Sequence, residues 1–195
     1  MHPSAGERAY RPELAAAACS RFVMITGCSG GGKSSLLAEL ARRGYRTFAE
    51  PGRQIFKEQT LIDGPALPAK DGVLFGELCI SRTINRMVEA ADAEDFVFFD
   101  RGLIDPLSHW VRLGLQAPAH WAEAAKRFRF HRKVFVAPPW PEIFESDSER
   151  RHSFEDAIGD YPVLLQIYRD FGYQTIMLPK LPVSERAEFI LSALE

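Results

Sequence analysis

Short apolar runs alternate with stretches of helical spacing along this chain. Phe22-Val23-Met24-Ile25-Thr26 is a continuous, partly β-branched run of the length of a buried strand. Residues 35–43 read as a helix ended by Gly44. Residues 45–49 predict a second strand, and residues 53–62 a helix. Gly64, Pro65, Pro68 and Gly72 mark residues 63–72 as a loop. Leu74, Leu78, Ile84, Met87 and Val88 recur at helical spacing and predict one long helix over 73–91. Phe96-Val97-Phe98-Phe99-Asp100 is a buried strand that ends in a carboxylate. Two helices follow, at 103–113 and 119–128. A strand at 134–136 is stopped by Pro138-Pro139, and a charged connection covers 141–153. A helical stretch then runs to Phe171 and is expected to break near Gly159-Asp160, because Pro162 does not belong deep inside a helix. A strand at 174–178 and a helix at 184–194 close the chain. Strands alternating with helices predict an α/β fold, a parallel sheet covered on both faces. Residues 1–20 read as a flexible N-terminal extension, loose or partly helical, and 21–195 as a single domain with a lid at about 141–158.

Composition narrows this picture. The chain has 195 residues, 46% hydrophobic and 26% charged, which suits one soluble α/β domain. A net charge of -2 argues against bulk nucleic-acid binding. Cys19, Cys28 and Cys79 are odd in number and form no C-x-x-C pair, so a reducing compartment suits them better than a disulfide framework. Leu14 and the alanines after it are too short and too weakly apolar for a signal core, and no run is long enough to span a bilayer. A cytoplasmic location is expected.

The chemistry concentrates after the first strand. Gly27-Cys28-Ser29-Gly30-Gly31-Gly32-Lys33-Ser34 fits G-x-x-x-x-G-K-[ST] at every fixed position, and Ser35 opens the helix behind it. Strand, glycine loop and helix occur in the order this motif needs; a glycine-rich turn with a stray lysine would not supply both flanks. Glycines let the backbone curl so that its N–H groups converge on a polyphosphate, and the helix N-terminus adds positive potential. Lys33 would reach the β/γ-phosphates, and the Ser34 hydroxyl would hold Mg²⁺. At the end of the third strand, Asp100 takes the place of a second Mg²⁺ carboxylate, with helix capping as its alternative role.

The residue after Asp100 is Arg101, where mechanical ATPases place a second acid. Asp100-Arg101 resembles the Asp-Arg or Glu-Arg motif of thymidylate kinase and the deoxynucleoside kinases, and Glu50-Pro51 resembles their Glu-Pro pair. Glu50 reads either as a carboxylate beside the acceptor hydroxyl or as a simple turn residue. A larger set of blocks is similar to a family of small bacterial P-loop proteins termed AAA-type ATPases, related to the nicotinamide-riboside kinase domain of a bacterial NAD regulator. The blocks are Glu50 with Arg53, Asp100 through Asp105, Pro138-Pro139-Trp140, Asp147 to Arg150, and Gly172-Tyr173. The likeness covers about residues 20–195. It implies a P-loop three-layer sandwich with strand order 2-3-1-4-5, and ATP or GTP as bound nucleotide with Mg²⁺. Lys33, Asp100, Arg101, Glu50 and Arg150 are then the expected catalytic set. Glu50, Arg53, Asp105 and Arg82 face the acceptor, and Pro182 lies in the stretch where related folds contact the base.

Three readings remain open. The first is a kinase that transfers phosphoryl to a small, nucleoside-like molecule, with Arg150 carried on the lid. The second is a nucleotide-dependent switch with slow hydrolysis and a protein or lipid partner. A plain ATPase is disfavoured because no acid follows Asp100. Arg82 and Arg86 share a helix face, where they either hold an anionic substrate or stay in solvent. The run Lys126 to Lys133 either binds an acidic surface or is a cationic helix end. Cys28 is either a small filler or an oxidation-sensitive thiol.

Overall fold

The apolar runs become five parallel strands in one sheet, ordered β2-β3-β1-β4-β5. These are β1 Phe22–Gly27, β2 Arg46–Phe48, β3 Val97–Asp100, β4 Lys133–Ala137 and β5 Gln174–Met177. The computed structural model describes residues 10–144 and 154–195. Around the sheet pack α1 Pro12–Ala17, α2 Lys33–Arg42, α3 Pro51–Leu61, α4 Gly72–Glu89, α5 Ile104–Arg112, α6 Ala119–Arg127, α7 Phe154–Asp170 and α8 Val183–Leu194.

Why the sheet is doubly covered follows from its side-chain alternation. Val23, Ile25, Phe98 and Phe135 point to one face and pack with Leu36, Leu40, Ala187 and Ile190 of α2 and α8. Phe22, Met24, Val97, Phe99, Val134 and Val136 point to the other, against α1 and α4 to α7. β1 sits in the middle, with Ile25 opposite Asp100 on β3 and Gly27 opposite Ala137 on β4. That register brings the ends of β1, β3 and β4 to one rim of the sheet, where an open parallel sheet binds ligands.

The segment before β1, read as loose or partly helical, holds a helix in its described part: α1 docks on α4, with Ala15 fully buried and Ala18 nearly so. An alanine-rich stretch carries little apolar signal, yet its small side chains let backbones approach closely. One expectation is corrected: the break near Gly159-Asp160 is absent, and α7 runs through Pro162. Pro162 lies on the exposed side, while Leu164, Ile167 and Tyr168 are buried against the core. Packing therefore outweighs the hydrogen bond that proline removes. The segment read as a lid is partly described: residues 141–143 form a short 3₁₀ turn and 154–158 belong to the start of α7, while 145–153 lie outside the described residues.

The docking of α1 is testable. Ala15→Asp would bury a carboxylate with no partner, and urea denaturation should show a loss of about 3 kcal/mol or more. Unchanged stability would mean that α1 is not part of the core.

Candidate functional site

The loop between β1 and α2 is shaped by close approach and by left-handed backbone. Gly27 has φ 114°, and a Cβ there would lie 2.3 Å from the Ala137 carbonyl oxygen. Only glycine fits that crossing. Beside it, the Cys28 N–H donates to the same carbonyl at 2.9 Å. Gly32 has φ 74° and caps α2. Lys33, the first residue of α2, folds back over the loop: its Nζ donates to the Cys28 carbonyl at 2.8 Å and to Gly27 at 3.5 Å. Burial holds its pKa below the usual lysine value, and nearby Arg101 adds to the effect against Asp100, Glu50 and Asp105.

A compact charge cluster faces Lys33 from the end of β3. Asp100 is 4% exposed, and its Oδ1 accepts no hydrogen bond. Burial pushes its pKa up to about 6, with Lys33 opposing. Arg101 takes a left-handed φ of 64°, which turns its side chain back across the strand ends. Its Nη1 donates to Asp105 Oδ1 at 2.9 Å, and its Nε lies 3.0 Å from Glu50 Oε1. That second contact is an ion pair without an aligned hydrogen bond, so the Nε–H has no acceptor. Burial works against the Arg101 charge, but Glu50, Asp105 and Asp100 outweigh it and raise its pKa. Glu50 occupies the N-cap position of α3 without making a side-chain cap bond. Its other oxygen lies 3.9 Å from Arg53 Nε.

Loop and cluster line one cavity of about 960 Å³. Its wall combines Ser29, Lys33 and Ser34 of the loop, the charged Glu50, Asp100 and Arg101, and the apolar Phe56, Phe75, Trp110, Leu113 and Leu164, with Arg112 and Asp160 also present. Among the described residues, no three His, Cys, Asp or Glu side chains form a metal cluster. The orphaned Oδ1 of Asp100 suits a hard cation that takes its remaining ligands from phosphate and water, with the Ser34 hydroxyl at the head of α2 as second protein ligand.

The model of the family AAA_28, an AAA domain, matches residues 22–186. The chain belongs to this AAA domain family. No match was found among curated protein sequences. Deoxyadenosine kinase from M. mycoides, solved with the products dCMP and dCDP, superposes with a TM-score of 0.64 at 18% identity, over 89% of this chain and 98% of that one. The NadR protein in complex with NR gives 0.64 at 16% identity over 90% of this chain, which spans only 50% of NadR. Shikimate kinase from Acinetobacter baumannii, bound to shikimate, gives 0.54 at 16% identity, over 93% and 96%. At these identities the likeness is one of fold.

Several other expected site residues of this AAA domain lie differently from the sequence reading. Asp105 faces the cavity, but four donors occupy its carboxylate: Thr26 Oγ1 at 2.6 Å, Tyr168 OH at 2.6 Å, the Gly102 N–H at 2.8 Å and Arg101 Nη1. These four bonds engage both carboxylate oxygens, and through one of them Asp105 braces Arg101. Arg82 is not in the cavity wall; it forms a two-pronged pair with Glu58 at 2.7 and 2.8 Å. Arg86 is buried against the Ala49 carbonyl, Gln54 and the Phe48 ring. Arg53 does line the cavity, whereas Pro182 is exposed at the start of α8, outside it. Arg150 lies outside the described residues.

Three cations of the basic run have partners within the protein. Arg129 stacks on Tyr173 at 4.0 Å, Lys126 pairs with Glu123, and Lys133 bonds the Ala193 carbonyl. Burial raises the Cys28 thiol pKa, which favours the filler role over a reactive thiolate.

Sequence reasoning missed Thr26, Tyr168 and Arg186. The first two complete the Asp105 network. Arg186, 4% exposed, reaches from α8 to the Gly31 carbonyl at 3.2 Å. Its spacing of four from the buried Ile190 was the available signal.

The raised pKa of Asp100 has a consequence for stability. An acid raised by burial leaves the fold unpenalised below its unfolded value near 4, and stability is lost as pH rises through about 6. Asp100→Asn should therefore be more stable than wild type by about 1–3 kcal/mol at pH 8, with the gain vanishing near pH 4. Denaturant titrations at both pH values check this; a gain equal at both would contradict it.

Proposed function

We propose that this protein is a phosphotransferase that moves the γ-phosphoryl of Mg·ATP or Mg·GTP onto a hydroxyl or phosphate of a small molecule. One observation carries the reading: the phosphate loop, the Glu50–Arg101 pair and a set of aromatic and aliphatic side chains, Phe56, Phe75 and Trp110 among them, line the same cavity. A nucleotide tail alone needs no such additional wall, and about 960 Å³ is at the upper end of single-ligand pockets.

In this reading the loop amides and Lys33 hold the donor phosphates, with Lys33 exchanging its two carbonyl partners for phosphate oxygens. Ser34 and Asp100 would hold Mg²⁺, which supplies charge neutralisation at the phosphates. Arg101, braced by Asp105 and paired with Glu50, would place its guanidinium charge beside the transferring group. Glu50 takes the proton of the acceptor hydroxyl as its oxygen bonds phosphorus and the bond to the leaving diphosphate breaks. No acid follows Asp100 to activate water, which favours transfer over hydrolysis.

The fold neighbours support a small acceptor, since deoxyadenosine kinase and shikimate kinase are among them. Nucleoside-like acceptors are the first to test. We read residues 21–195 as one catalytic domain, with 141–158 as a lid that brings Arg150 over the phosphoryl. A cytoplasmic setting suits Cys19, Cys28 and Cys79, which form no disulfide among the described residues, and no helix among those residues is long and apolar enough to cross a membrane.

The test is to incubate the protein with Mg·ATP or Mg·GTP and pooled nucleosides, vitamins and sugars, and to follow phosphorylated product by mass spectrometry. Acceptor-dependent product is expected, and Glu50→Gln should lower kcat by about 10²–10⁴-fold with nucleotide affinity little changed. Phosphate release that ignores every acceptor, or a Glu50→Gln variant with full turnover, would contradict the proposal.

A further inference from the structure

Arg186 is a buried cation without a carboxylate partner among the described residues. It projects from the first turn of α8 beneath the phosphate loop. Its Nη1 donates to the Gly31 carbonyl at 3.2 Å, its guanidinium lies over the Trp140 ring at 5.3 Å, and its Nε is buried without an acceptor. Burial lowers its pKa. The fit against the loop is close: a Cβ on Gly32 would stand 2.9 Å from Nη2 and 3.0 Å from Nη1.

The geometry of a peptide unit gives this contact a meaning. In a trans peptide the C=O of one residue and the N–H of the next point in opposite directions. A Gly31 carbonyl held by Arg186 therefore turns the Gly32 N–H the other way, away from α8. Two glycines in succession can rotate that peptide freely, since neither carries a Cβ and Gly32 already sits at positive φ. Rotated the wrong way, the loop would present a carbonyl oxygen to an anion.

We infer that Arg186 is a positioning residue for the phosphate loop, fixing the 31–32 peptide with its N–H toward the polyphosphate of a nucleotide. Arg186 acts across the peptide, through the Gly31 carbonyl, so loop order and phosphate binding reinforce each other. The Trp140 ring, 5.3 Å from the guanidinium, helps hold it in place. The inference rests on the loop being the nucleotide site, but not on the identity of an acceptor or on turnover.

Calorimetry of Mg·ATP and Mg·GTP with wild type, Arg186→Met and Arg186→Lys tests it. Arg186→Met keeps the packing on Trp140 but removes the donor, and the better-bound nucleotide should weaken by about tenfold to a hundredfold. Arg186→Lys keeps the charge without the fork and should recover only part of that loss. A merely structural role would lower the fraction of protein able to bind and leave the dissociation constant of the rest unchanged. That result, or an Arg186→Lys variant equal to wild type, would overturn the positioning role. Wild type that binds neither nucleotide would remove both this inference and the phosphate-loop reading; wild type that binds, with Arg186→Met binding equally well, would remove this inference alone.

Discussion

The ends of β1 and β4 meet so closely at Gly27 and Ala137 that no side chain fits between them. The rest of the site depends on that crossing. It lets the chain leave the sheet at once and curl through Gly30, Gly31 and Gly32, so that α2 starts with its N–H groups aimed back over the strand ends. A bulkier residue at Gly27 would push β4 away or bend the loop outward, and Lys33 would lose its bonds to the Gly27 and Cys28 carbonyls. The same crossing anchors the segment after β4. Phe144 packs where a Cβ on Gly30 would sit, and Ile143 packs beside Gly32.

The charges assembled at this rim are arranged against stability and in favour of binding. Lys33 is buried among carbonyls, Asp100 has an oxygen with no partner, and Arg101 is bent into a left-handed conformation with one N–H unused. Each feature costs folding free energy in the protein alone. Each is relieved by an anion bridged to a hard cation. Asp105 stands apart, because both its carboxylate oxygens are engaged. It links β1 through Thr26, the start of α5 through Gly102, and α7 through Tyr168. That network holds the Arg101 turn rigid, which preorganises the charge where a phosphoryl would sit.

Much of this was legible in the chain. The strands were readable because buried parallel strands are near-continuous apolar runs, and the phosphate loop because its glycines and Lys33 are dictated by the backbone path. The strand order followed from the resemblance, since local patterns carry no information on which strands are neighbours. What escaped reading had physical reasons. Ala15 and Ala18 bury little apolar area, so α1 gave no signal for docking. Pro162 is a local helix breaker overruled by the packing of Leu164, Ile167 and Tyr168. Asp105 and Arg82 look free in sequence, because their partners Tyr168, Thr26 and Glu58 are distant along the chain. Arg186 looked like one more charged position on a surface helix.

The central claim is that the curled main chain at Gly27 to Ser34, with Lys33, is a socket for a triphosphate tail. Titrating Mg·ATP and Mg·GTP into wild type and Lys33→Ala by calorimetry tests it most directly. The account predicts saturable binding of at least one nucleotide, lost or weakened by about a hundredfold or more in Lys33→Ala. Identical titrations for the two proteins, or no heat from either nucleotide with folded wild type, would contradict it.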